Sequence, residues 1–388
     1  MKIDQPFAII CLLLLISIVP GIACGYATPE SIVAAGKVYI SGIDYDPGSF
    51  FTGDTGTVTV YVTNGNSNQS VVVNHATIGD TYIRLKSNPY DSSANIGPLQ
   101  TRTFVFSVAA DALEGTYYPT FSLSFRDADS LYYRLVTKVD NTPLELTVVD
   151  KPDAYTQDKK KTVYMQVANP RNNMVKNVIL DLSGDGADFS PSRVFVGNLG
   201  PGEKIPVNFS VTPNKVTPLK LTLNYDNGDN PHRVSMELPV IFGTDKKAAN
   251  PVISNVQVKN EAGIWHVTGD VNNAGLETAN TVMVTSLPPA IPQDPYKVYV
   301  VGALKTDDFG SFEVTLTAEN TDTIPIKLSY KDADGNVYDS IQDVKISPAA
   351  ITARNSTSGL PVIPITIGIA LLVLFVGGWI LYLKRNKK

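Results

Sequence analysis

Thiols and imidazoles are almost missing from this chain. Its 388 residues include 2 Cys and 3 His, which nearly excludes thiolate or His-rich metal centres and leaves little for nucleophile–base catalysis. His75, His232 and His266 stand far apart in sequence, none in a recognisable motif. No Gly-x-Ser-x-Gly elbow, phosphate-binding loop or His-Glu-x-x-His is present. An excess of positive charge is also lacking. Lys and Arg number 32 against 37 Asp and Glu, a net charge of −5. That argues against a nucleic-acid binder, which needs a cationic face to displace counterions. Long amphipathic helices are absent between the two ends. So is the composition of disorder, since 43% of residues are hydrophobic and 18% charged. The expectation is a non-enzymatic protein without a resident cofactor.

What is present begins with the two ends. Lys2 precedes an apolar run from Phe7 to Val19, broken by Pro20-Gly21 and followed by small residues. This reads as a secretory signal, with cleavage after Ala23, Gly25 or Ala27. Cys24 lies at that boundary, but Gly21-Ile22-Ala23 lacks the branched residue that lipoprotein signals place three positions before the cysteine. Cleavage after Cys24 would leave no cysteine to form a disulfide, so each domain must stand on its own core. At the other end, residues 362–383 are apolar and uncharged, long enough at ~1.5 Å per residue to cross a bilayer as one helix. Trp379 and Tyr382 lie near its far end, and Lys384, Arg385, Lys387 and Lys388 follow at once. Aromatic belts and the retention of positive charge in the cytoplasm predict a single-pass anchor with the long preceding segment outside the cell. Taking Lys2, Asp4 and the four tail cations out of the totals leaves 27 basic and 36 acidic residues, a net charge of −9. Such a surface repels anionic polymers.

Between the ends the chain alternates with period two. Val58, Val60 and Val62 alternate with Thr57, Thr59 and Tyr61. Phe121, Leu123 and Phe125 do the same, as do Val163, Met165 and Val167, then Leu221, Leu223 and Tyr225, Phe312, Val314 and Leu316, and Ile326, Leu328 and Tyr330. Each run predicts a strand with one face in a core. A turn before an alternating strand recurs as Asn95-Ile96-Gly97-Pro98-Leu99, Asn198-Leu199-Gly200-Pro201-Gly202 and, more loosely, Val301-Gly302-Ala303-Leu304. A strand, an Asp/Asn/Gly turn and a second strand recur from Leu123, Leu223 and Leu328, about one hundred residues apart. The prediction is an all-β chain of three tandem immunoglobulin-like β-sandwiches with one C-terminal transmembrane helix. The expected divisions are a signal peptide at 1–27, sandwiches at 28–150, 151–247 and 248–348, a stalk at 349–361, the membrane helix at 362–383 and a cytoplasmic tail at 384–388. The linkers are brief, which predicts a semi-rigid rod.

The run Phe51 to Asn64 (FTGDTGTVTVYVTN), the two Gly-Pro turns, Glu114 to Tyr118 (EGTYY) and the strand ending in an aspartate turn resemble archaeal S-layer-related surface proteins with tandem CARDB-like repeats. The resemblance spans roughly residues 30–348. It implies an archaeal envelope protein with a non-catalytic external portion. Some relatives carry a Pro-Gly-Phe sorting signal before the helix. This chain has Gly359-Leu360-Pro361 instead, which favours a retained anchor.

Candidate sites follow. The sequons at Asn68, Asn208 and Asn355 are possible glycosylation sites, Asn208 in a strand-like stretch. Asp332, Asp334 and Asn336, with a partial copy at Asp127 and Asp129, resemble the start of a calcium loop. The twelfth position is Asp343 rather than Glu, and turn chemistry accounts for the same residues. Tyr117, Tyr118, Phe121, Phe125, Tyr132 and Tyr133 could form a sugar platform, although their alternation assigns most of them to a core. Expected partners are the membrane and envelope proteins or glycans. Two other readings are an accessory external subunit of an ABC-type transporter and a glycan-binding surface protein.

Overall fold

A computed structural model describes residues 28–319 and 321–345. The signal segment, the stalk with Asn355, the 362–383 span and its flank Trp379, Tyr382, Lys384, Arg385, Lys387 and Lys388 lie outside the described residues. No described helix is long and apolar enough to cross a membrane. The described chain is nearly all antiparallel strand. Its one helix, α1 (Pro29–Ala35), follows from local chemistry that the alternation gives no sign of. Pro29 opens it, and the Thr28 hydroxyl accepts the Ser31 N–H at 3.2 Å.

After α1 come β1 (Val38–Asp46), β2 (Thr55–Asn64), β3 (Val71–Gly79), β4 (Ile83–Leu85), β5 (Ala94–Ile96), β6 (Thr101–Ala110), β7 (Gly115–Tyr117), β8 (Thr120–Phe125), β9 (Leu131–Arg134) and β10 (Thr137–Val139). They form sheets of order β1-β2-β6-β4 and β5-β3-β8-β9, with β7 and β10 as a small ribbon. Val58, Val60 and Val62 are buried against Phe121 and Leu123 of the opposite sheet, while Thr57, Thr59 and Tyr61 face outward. Each such buried side chain contributes about 1.5–3 kcal/mol.

The plan then repeats. β11 (Glu145–Asp150), β12 (Lys161–Ala168), β13 (Val175–Ser183), β14 (Ala187–Ser190), β15 (Arg193–Leu199), β16 (Lys204–Pro213), β17 (Leu219–Asn227) and β18 (Asn230–Leu238) give sheets of order β11-β12-β16-β14 and β15-β13-β17-β18. β19 (Pro251–Glu261), β20 (Ile264–Asn273), β21 (Ala279–Ser286), β22 (Ile291–Pro292), β23 (Val298–Leu304), β24 (Phe309–Thr317), β25 (Thr323–Lys331) and β26 (Val337–Lys345) give β19-β20-β24-β22 and β23-β21-β25-β26. Each pair of sheets encloses its own apolar core. The repeated strand–turn–strand segments are the antiparallel pairs β8–β9, β17–β18 and β25–β26. The described residues fall into two compact units. One takes the first two sheet pairs through Lys247 with Asp334–Asn336, and the other takes Ala248–Ala333 and the chain from Val337.

One division differs from the sequence reading. The sequence reading gives residues 145–150 to the first sandwich and starts the second at 151. Instead β11 pairs with β12, and Leu144, Leu146 and Tyr155 are buried in the second core. The charged residues of that stretch mask a buried apolar minority. The handover therefore falls at 140–144.

A polar device recurs at the same place in each sheet pair. β2, β12 and β20 end on or beside a buried asparagine: Asn64, Asn169 and Asn273. Each Nδ2 reaches three backbone carbonyls within 3.2 Å. The partners are Gln69, Ile96 and Gly97 for Asn64, Asn173, Leu199 and Gly200 for Asn169, and Glu277, Leu304 and Lys305 for Asn273. Each Oδ1 accepts the N–H two residues on, from Asn66, Arg171 and Gly275. The clasp thus ties a strand end to the recurrent turn seen in sequence. Leu99, Gly202 and Asp307 take left-handed φ of +56°, +69° and +60° at the matching position of those turns. Buried backbone carbonyls need partners, and a side-chain amide supplies them where a strand ends in a turn.

Candidate functional site

The second clasp fixes more than a turn. The backbone N–H that Asn169 captures belongs to Arg171, whose side chain is 1% exposed and crosses from the second sheet pair to the first. Its Nη1 donates to the carbonyls of Asp140 and Thr142, its Nη2 to the carbonyl and hydroxyl of Ser49, and its Nε to Asn173 Oδ1. All five guanidinium N–H groups are thereby used. The guanidinium lies 3.9 Å over the Phe51 ring, and Phe51, although carried on the β1–β2 loop, is buried in the second core. Burial pulls the Arg171 pKa below its ordinary value, opposed first by Asp140.

Buried amides and carboxylates complete this junction. Asn227 Nδ2 donates to Asp54 Oδ2 at 2.7 Å and to the Ser49 carbonyl at 2.9 Å, and Asn173 Nδ2 donates to Asn227 Oδ1 at 2.8 Å. Asp54 faces His232 Nε2 at 2.9 Å, and the imidazole stacks on Phe51 at 4.0 Å. At the rim, Asn230 accepts the Thr55 N–H at 2.9 Å and donates to its carbonyl at 2.7 Å. Asp140 shows the balance of forces. Burial raises its pKa, but hydrogen bonds from Thr142 and Lys138 outweigh burial and hold the carboxyl at about 2. Such a network fixes two sandwiches in one arrangement.

The residues singled out in the sequence are scattered. Asn68 is exposed in the β2–β3 loop. Asn208 lies on β16 and faces outward, paired across the ladder with Tyr164, so its strand position does not hide it. Asp127 and Asp129 are exposed beside the end of β8, and the Asp127 carbonyl accepts the Ser31 hydroxyl. Asp332 is buried, with its carboxylate accepting the Tyr338 hydroxyl at 3.3 Å. Asp334 and Asn336 flank Gly335, whose φ of +84° makes the turn. Among the described residues no group of three or more His, Cys, Asp or Glu could hold a metal ion. The histidines pair separately with carboxylates: His75 with Asp91, His232 with Asp54 and His266 with Glu313. In the aromatic cluster Phe121 and Phe125 are core, whereas Tyr118, Tyr132 and Tyr133 are exposed.

The second unit carries a groove that the sequence does not announce. It is open to solvent and has a volume of about 840 Å³, within the range of small-ligand sites, roughly 300–1,000 Å³. Its floor is Asn255, Thr268, Asp270, Ser311 and Glu313, from β19, β20 and β24, and Tyr296 and Tyr299 line it as well. A bulge in β19 between Ser254 and Gln257 puts Asn255 at φ +53°, where its Nδ2 donates to Asp270 Oδ2 at 2.9 Å. The Ser311 hydroxyl donates to Asp270 Oδ1 at 2.7 Å. These two hydrogen bonds hold the Asp270 pKa below its ordinary value. Glu313 faces His266 at 2.8 Å. The backbone of Tyr296 is clipped to the buried Thr315, N–H to hydroxyl and carbonyl to N–H, both at 3.1 Å.

No family model matches the chain. It is similar to an uncharacterized protein of Methanocaldococcus jannaschii, 25% identical over 73% of this chain, and spans 62% of that relative's length. A crystal structure of red sea bream transglutaminase aligns over 54% of this chain and 32% of its own, at 16% identity and a TM-score of 0.22. That likeness is too distant to bear on fold or function.

Proposed function

We propose that the chain is a non-catalytic, single-pass surface protein whose tandem immunoglobulin-like sandwiches serve envelope structure or adhesion, of the S-layer-related, CARDB-like kind. Each sheet pair counts as one domain in this reading. The observation that carries it is the threefold recurrence of one sheet order with one asparagine clasp, joined in the first two copies by a junction that spends its polar groups on rigidity. Adhesion and envelope proteins need stiffness and surface. The outward-facing Asn68 and Asn208 suit an external, glycosylated location, and the archaeal relative agrees with the archaeal resemblance. The apolar span at 362–383 with its cationic tail supplies the anchor.

Protease treatment of intact cells tests this reading. The β portion should be digested from outside while the extreme C-terminus stays with the membrane. Full protection of the β portion would overturn it. Recovery of permease and ATPase subunits on pull-down from native membranes would instead favour the transporter-accessory reading.

A further inference from the structure

We infer that the groove of the second unit binds a neutral oligosaccharide, with the floor of Asn255, Asp270 and Ser311 engaging its hydroxyls and Tyr296 stacking on a sugar ring. This deepens the adhesion reading by naming a partner class, and it rests on that reading only for where the ligand is met.

The argument begins with the mixture of groups. A sugar hydroxyl both donates and accepts, and it is best held by neighbouring acceptors and donors. The floor supplies carboxylates, a side-chain amide and hydroxyls on adjacent strands. Asp270 pairs with Ser311 across the ladder, and Thr268 pairs with Glu313, so the polar groups stand in fixed rows. Asp270 is preorganised, since Asn255 and Ser311 hold one oxygen each and leave further lone pairs for a ligand. An aromatic face is the usual partner for the apolar C–H side of a polar molecule, and Tyr296 is 39% exposed, 6.1 Å from Tyr299 between ring centroids. The clip to Thr315 fixes its backbone at the groove, so only the side chain remains to be ordered on binding.

Charge narrows the class. Two carboxylates line the groove, and no Lys or Arg does. The nearby Lys297 is paired with Asp294 at 3.0 Å. Acidic sugars, phosphates and nucleic acids would meet uncompensated repulsion. The hydrogen bonds on Asp270 favour its ionised form, which suits an acceptor of sugar hydroxyls. The geometry is that of a binding groove.

The test uses the full chain in detergent on an array of neutral gluco-, manno-, galacto- and chito-oligosaccharides, uronic-acid oligosaccharides and oligolysine. Calorimetric titration of the best binder follows. A neutral oligosaccharide should bind, uronic-acid probes should not, and Tyr296→Ala and Asp270→Asn should each weaken binding about tenfold. Both variants should melt within a few degrees of the parent. Failure of every neutral probe, binding of oligolysine alone, or affinities unchanged in both variants would overturn the inference. Surface protease accessibility does not depend on any of these results, so a failed titration leaves the surface reading standing and protected cells leave a positive titration standing.

Discussion

At the junction of the first two sheet pairs, Arg171 gives every N–H to a protein acceptor, and Asn227 and Asp54 are closed off around it. In the groove of the second unit, Asp270 gives each oxygen one protein partner and keeps the rest of its acceptor capacity facing outward. The two regions use similar side chains on equivalent sandwich plans. What separates them is burial. A polar group removed from water must be fully satisfied, and once satisfied it locks structure. A polar group left at a groove can be held in place by one neighbour and still recognise something else. One sandwich plan can therefore make a closed joint in one place and leave an open polar groove in another.

Breaking the joint should give the largest effect. Arg171→Met removes five donors and strands the carbonyls of Asp140 and Thr142, while the Ser49 carbonyl keeps Asn227. Urea unfolding should show a loss of about 3–5 kcal/mol in the first unit. The clasps come next. Asn64→Ala, Asn169→Ala and Asn273→Ala each remove the buried amide that bridges the strand end to its turn, and each should cost about 2–3 kcal/mol by the same measurement. A clasp whose loss costs nothing would show that the three copies are not equivalent. Acid sharpens the comparison further. The Asp140 carboxyl sits at about 2 rather than its ordinary 3.8, so its stabilisation is present above pH 4 and fades as pH falls through the folded value. The loss amounts to at most about 2 kcal/mol, and Asp140→Asn should flatten that slope. The smallest effect belongs to the groove, where Asp270→Asn should leave the melting temperature within a few degrees of the parent.

Much of the architecture was legible in the sequence, because alternation is a local signal. Val58, Val163 and Leu221 announce a core face within a few residues. The recurrent turns were legible too, but not what fastens them. Asn64, Asn169 and Asn273 end three alternating runs, 105 and 104 residues apart, and that spacing was the available signal. Arg171 left no such trace. Its partner Ser49 lies 122 residues away, and an arginine in a loop reads as a solvated charge until the fold brings the loop against another sandwich. The groove was hidden for a related reason. Asp270, Ser311 and Tyr296 come from separate segments, and the bulge that aims Asn255 depends on register rather than residue type. The boundary at 150 misled in the opposite direction, since the charged residues around it outweigh the buried Leu146, Pro152 and Tyr155.

Native-state hydrogen exchange on the full chain tests the central claim most directly, comparing the parent with Arg171→Met. In the parent, the core amides of β2, β6, β12 and β16 should open together at one shared free energy, as parts of a single cooperative unit. In the variant the two pairs of strands should separate into two exchange classes. Separate opening of the two sandwiches already in the parent would contradict the junction as the element that makes them one body.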